Sequence, residues 1–200
     1  MLAILIQIPL AMLPLLQPPA RDCALDTLPP QALEERSMAD FAAAVDRYAQ
    51  VQRRLTRELL ASDLFEEEGL FEPDALRTAI VAARPLAREG DLFTPVVARV
   101  LRERIDVALL DHPHGAGHIL MPRFRPVAGD PGPSVNTTFG YFLGYVKWPS
   151  LARALPVLPR ELEYAVWGTD LVLVDADTDL VIDILRNALP AGARPGATYQ

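Results

Sequence analysis

The three histidines carry the sharpest chemical signal in this chain, because all of them fall in His112-Pro113-His114-Gly115-Ala116-Gly117-His118. Neutral imidazoles ligate zinc and copper, and three on one loop could chelate a metal without long-range folding. Pro113 disfavours the strand that would place His112 and His114 on one face, and an HxHxDH zinc loop fails because Gly117 stands at the aspartate position. A glycine-rich loop is also a poorly preorganised ligand set. The favoured reading is an exposed loop that happens to be His-rich, with no cofactor assigned; the alternative is a metal-binding protein or metal-dependent enzyme whose ligands are His112, His114 and His118.

Asp175-Ala176-Asp177-Thr178-Asp179 imitates the start of a calcium loop, in which carboxylates at positions 1, 3 and 5 converge on a hard cation. Leu180 then stands where such a loop needs glycine, and Arg186 where it needs a bidentate glutamate. A hairpin turn with local aspartate-to-backbone bonds fits the segment better. Asp183 sits in an apolar run; strand alternation puts Leu180, Ile182 and Ile184 on one face and Val181, Asp183 and Leu185 on the other. A carboxylate between two apolar neighbours is expected to form a structural ion pair with an arginine rather than to act as a base. Nucleophile signatures are missing: Gly132-Pro133-Ser134-Val135-Asn136 ends in Asn136 where a nucleophile elbow needs glycine. Cys23 has no base nearby. Gly115-Ala116-Gly117 follows no strand and lacks the third glycine of a dinucleotide loop, and neither a P-loop nor HExxH occurs. No catalytic residue is assigned.

The elements that must position these groups are read from periodicity. From Met38 to Leu60, the residues Phe41, Val45, Tyr48, Val51, Leu55 and Leu59 recur at steps of three or four, one stripe of an amphipathic helix. Glu66-Glu67-Glu68 marks an acidic linker from Ser62 to Pro73. Pro73 suits the first position of a second helix faced by Leu76, Ile80, Ala83 and Ala87, which Pro85 must kink or end. Thr94 and Pro95 open a third helix, striped by Val97, Val100, Leu101, Ile105, Ala108 and Leu109. Residues 112–134 are rich in proline and glycine and read as a loop. An aromatic stretch follows, with Phe139, Tyr141, Phe142, Tyr145 and Trp148, better explained as core packing than as a stacking surface for ligands. Strands are expected at Leu162–Trp167, Asp170–Val174 and Leu180–Leu185, and Gly168-Thr169 suits a type II′ hairpin turn. The architecture is therefore α+β: a three-helix layer packed on a small C-terminal antiparallel β-meander, forming one domain over 38–189.

The ends of the chain are read differently. The first twenty residues carry no charge, and the apolar run Leu2–Leu16 matches a signal-peptide core but not the roughly 20 residues of a membrane span. Residues 1–20 are read as a signal peptide, 21–37 as a flexible linker holding Cys23, and 190–200 as a disordered tail. An uncleaved N-terminal anchor is the alternative. With 200 residues, 50% of them hydrophobic, the chain has the means to build a core, and a single cysteine excludes a disulfide framework. A net charge of -7 argues against nucleic-acid binding. Residues 31–111 hold 16 acidic and 11 basic side chains, residues 112–200 hold 8 and 7, so the negative surplus lies on the helices.

Phe41-x3-Val45-x2-Tyr48-x4-Arg53-Arg54-Leu55, Ala83-Arg84-Pro85-x4-Gly90-Asp91-Leu92-Phe93-Thr94-Pro95, Leu158-Pro159-x-Glu161-Leu162-Glu163-Tyr164-x3-Gly168-x-Asp170-Leu171-Val172-Leu173 and Val181-x-Asp183 form a further pattern. Over roughly residues 38–190 it resembles a family of uncharacterised, signal-peptide-bearing bacterial exported proteins. The resemblance implies export and a single domain, and brings no activity. It also implies a histidine where Gln52 stands, an arginine where Ala165 stands and an asparagine where Asp179 stands. Together these readings predict a periplasmic or secreted, non-catalytic binding or interaction module. Its expected partner is a protein or small ligand of the cell envelope, not nucleic acid, and the mature chain is expected to have no transmembrane helix.

Overall fold

The computed structural model describes residues 29–61, 73–110, 132–140 and 149–190. The leader, Cys23, the acidic linker, the three histidines, the aromatics from Tyr141 to Trp148 and the tail beyond Pro190 lie outside the described residues. Four helices, α1 (Pro30–Leu60), α2 (Pro73–Ala83), α3 (Pro95–Leu110) and α4 (Pro149–Ala154), precede three strands. These are β1 (Leu162–Trp167), β2 (Asp170–Asp175) and β3 (Val181–Leu185), antiparallel in the order β1-β2-β3. The architecture is α+β, as expected. No helix among the described residues is long and apolar enough to cross a membrane.

Prolines set the helix starts. Pro30, Pro73 and Pro95 each take the first helical position, where the missing N–H has no intrahelical partner to lose. α1 begins eight residues earlier than the periodicity indicated, so residues 30–37 belong to the helix and not to a flexible linker. Its buried face is Phe41, Val45, Tyr48, Ala49 and Gln52, so the stripe continues from Tyr48 onto Gln52 rather than onto Val51. α2 stops at Ala83, two residues before Pro85, because the residue ahead of a proline is driven out of the helical region. On α3 the residues Val97, Ala98, Val100, Leu101, Ile105 and Leu109 are buried.

One core joins the two layers: Leu76, Ile80, Leu101 and Ile105 of the helices pack with Leu171, Leu173, Ile182 and Leu185 of the sheet. Each such fully buried side chain contributes about 1.5–3 kcal/mol, several times what a cap or surface pair supplies, so the stripes decide where the helices lie. On the far side of the sheet, Val172, Val174, Val181 and Ile184 gather with Ala165 and Phe139, and Phe139 meets Trp167 edge-on at 6.4 Å. Phe139 is thus a core residue.

Gly168 has φ +60 and Thr169 is not among the residues with positive φ, as a type II′ turn requires. The β2–β3 pairing shifts register between Leu173 and Val174. Ile182 is the extra residue, and it joins the helix-side core together with Leu185, while Val181 and Ile184 face the other way. This bulge breaks the simple alternation expected for β3 and turns Ile182 toward the helices beside Asp183. The outer edge of β3 is covered by residues 136–139: the amide of Asn136 donates to Val181, and that of Val181 donates to Thr137.

Candidate functional site

Where the helical layer meets the sheet, the buried charge collects in one seam. Among the described residues the buried polar side chains are Gln52, Glu161, Asp175, Thr178 and Asp183. Asp175 ends β2 and turns inward. Its Oδ1 accepts the Thr178 hydroxyl at 2.7 Å and the amides of Thr178 and Asp177 at 2.9 and 3.2 Å, while Oδ2 accepts the Tyr48 hydroxyl at 2.7 Å. Residues 175–179 therefore form an aspartate-anchored hairpin turn, as the sequence indicated. Asp179 stands at φ +54, a left-handed conformation that aspartate and asparagine tolerate better than other side chains. Gln52 donates to Asp177 at 2.6 Å, and Arg77 of α2 donates to the carbonyl of Thr178 through two nitrogens. α1 and α2 both grip this one turn.

Burial is the main influence on both partners of the Tyr48–Asp175 bond. It pushes the phenol far above its ordinary value, with the Asp175 carboxylate adding to the effect. It also raises the Asp175 carboxyl, against the opposing pull of the Tyr48 and Thr178 hydrogen bonds. Neither group is a base poised for exchange with substrate. Arg84 lies over the Tyr48 ring at 5.2 Å and donates to the carbonyl of Ile182, and desolvation lowers its pKa.

Asp183 departs from expectation. It is fully buried, and no arginine among the described residues pairs with it; its carboxylate is held by the backbone. Oδ1 accepts the amides of Gly90 and Ile184, each at 2.7 Å, and Oδ2 accepts those of Leu92 and Phe93 at 2.7 and 2.8 Å. Gly90, at φ +88, gives the loop the left-handed turn that a side chain would resist. The loop before α3 thus wraps the carboxylate with three N–H groups, and β3 supplies a fourth. Burial raises the Asp183 carboxyl above its ordinary value, with all four amides pulling the other way. A carboxylate with every lone pair directed at backbone N–H is a structural clamp, which replaces the expected ion pair.

Glu161 is the third buried carboxylate. Arg53 grips it with two parallel bonds of 2.8 and 2.9 Å, and Arg160 adds one of 2.9 Å. These arginines, Arg53 first, hold its carboxyl well below the ordinary range, at about 2. The pairing stabilises the fold fully above the unfolded value of about 4.5 and is lost as pH falls from there toward 2. Because Arg53 is half exposed, solvent screening limits the benefit. Glu161→Gln is therefore expected to lower the melting temperature by roughly 3–6 °C at pH 7. Melting curves at several pH values should show that gap closing toward pH 2; a gap independent of pH would refute the assignment.

Periodicity and motif spacing assigned no role to Glu161 or to the Arg186 hub, in which Arg186 joins Glu89, Asp170 and the carbonyl of Pro133. Gln52 was foreseeable, since it stands one helical turn after Tyr48. Ser134 bonds Thr137 through its hydroxyl and has no base beside it among the described residues. No group of three His, Cys, Asp or Glu able to hold a metal occurs among the described residues. Comparison of the chain with protein-family models, with curated proteins and with solved structures finds no match.

Proposed function

We propose that this protein is an exported, periplasmic or secreted bacterial domain that works without catalysis, as a binding or interaction module of the cell envelope. The observation behind this reading is the state of the buried carboxylates. Asp175, Asp183 and Glu161 have both oxygens engaged by internal donors, so the groups best suited to acid–base work are committed to holding helices on the sheet. General acid–base catalysis needs a group within hydrogen-bond reach of a substrate proton, and none of the three offers an open oxygen. The uncharged leader supports export, and the left-handed backbone of Asp179 suits the asparagine that the family resemblance implies there.

One preparation tests the proposal. Untagged protein recovered from the producing cells is subjected to mass spectrometry and metal analysis. The expected result is a chain shortened by about twenty residues, from the envelope or medium, without stoichiometric metal. Full-length protein in the cytosol, or stoichiometric zinc or copper lost on His114→Ala, would overturn it. The second outcome favours a metal protein using His112, His114 and His118.

A further inference from the structure

α1 carries Arg47, Arg53, Arg54 and Arg57 in its C-terminal half, in a chain whose net charge is -7. At 3.6 residues per turn these four fall within about 120° of one another. Two concavities meet along this side of the helix. One, of about 570 Å³, lies between α1 and the segment before β1, where Arg53, Arg57 and Arg160 surround Gln52 and Thr56. The other, of about 520 Å³, is lined by all four α1 arginines with Gln50 and Val51. Arg53 and Arg57 belong to both.

The carboxylates beside this cluster, Glu161, Asp177, Glu58 and Asp46, offset part of its charge and leave guanidinium groups open to solvent. Glu161 saturates the fork of Arg53 and takes one nitrogen of Arg160, which is 88% exposed. Asp177, at the margin of the first concavity, accepts from the neutral amide of Gln52 and keeps its charge, so the cationic surplus lies on the side of Arg47, Arg54, Arg57 and Arg160. Arg54 reaches only Glu58, at 3.7 Å between two exposed side chains, and neither Arg47 nor Arg57 forms an ion pair among the described residues. Like charges gathered on one helix face cost stability, and several exposed guanidinium forks on that face suit an anion. A single carboxylate fills one fork, as Glu161 does. A compact centre with two or more negative charges can engage several forks at once, which is phosphate chemistry.

We propose that this side of α1, together with Arg160, is a binding site for a phosphate-bearing ligand. The inference names a ligand class for the module proposed above and rests on that reading.

Calorimetric titration of the full-length protein with pyrophosphate at low ionic strength provides the test. Arg54→Gln/Arg57→Gln and Arg160→Gln are each expected to weaken binding about tenfold or more, because each removes charge-assisted bonds. Arg99→Gln, on α3, is expected to leave binding unchanged. All the substituted side chains are exposed, and cooperative melting curves confirm that the variants fold. Phosphatidylcholine vesicles containing phosphatidylglycerol distinguish the source of the phosphate. Vesicle binding with the same arginine dependence assigns it to a lipid headgroup, and binding of pyrophosphate alone assigns it to a soluble ligand. The proposal is overturned if neither probe binds or if binding ignores the arginine substitutions. It is equally overturned if a polyglutamate peptide binds in place of both probes. Any of these results removes the phosphate site and leaves the non-catalytic reading to the mass and metal measurements.

Discussion

Asp183→Ala is expected to remove about 3–5 kcal/mol of folding stability, since four backbone amides lose the buried carboxylate that accepts from them. For a chain of this size that corresponds to a fall in melting temperature of about 10 °C or more. Asp183→Asn keeps one acceptor oxygen but aims an NH2 group at amide donors, so it should lie between alanine and wild type. Urea unfolding of the three proteins decides the matter. Equal midpoints would mean that the loop before α3 is held by packing alone. Arg84→Met supplies the contrast: if an arginine pairing were the source of stability it would match Asp183→Ala, whereas the observed geometry predicts a distinctly smaller loss.

The second large effect concerns the turn that both helices grip. Asp175→Ala leaves the Tyr48 hydroxyl, the Thr178 hydroxyl and two amides without their acceptor, and about 3 kcal/mol or more should be lost. Tyr48→Phe removes one of those four bonds and should cost about 1 kcal/mol. The double variant is expected to be little worse than Asp175→Ala alone, because residues sharing one network are not additive. Full additivity in denaturant titrations would show that Tyr48 and Asp175 act independently, contrary to the 2.7 Å bond.

Much of the fold was legible because side-chain type and spacing carry it. The stripes of α1 and α3, the prolines at 73 and 95, and Gly168 each state a local rule that the tertiary structure obeys. The misses have physical reasons. α4 has six residues, too few to display a period. Residues 30–37 lack a strong apolar stripe, so nothing in them announced a helix. The bulge at Ile182 depends on pairing with β2, which no single strand encodes. The site was less readable still. A carboxylate clamped by amides has partners with no side-chain signature, so Asp183 looked like half of an ion pair. Glu161 and Arg53 stand 108 residues apart, with nothing in either neighbourhood pointing to the other.

The sheet follows the helices in the sequence, yet its side chains complete the core that α1, α2 and α3 share. Tyr48 meets its partner 127 residues later, and the amide of Phe93 meets its own 90 residues later. During synthesis, α1, α2 and α3 can pack on one another, as Phe41 does on Phe93, but their shared core stays incomplete until the strands have emerged.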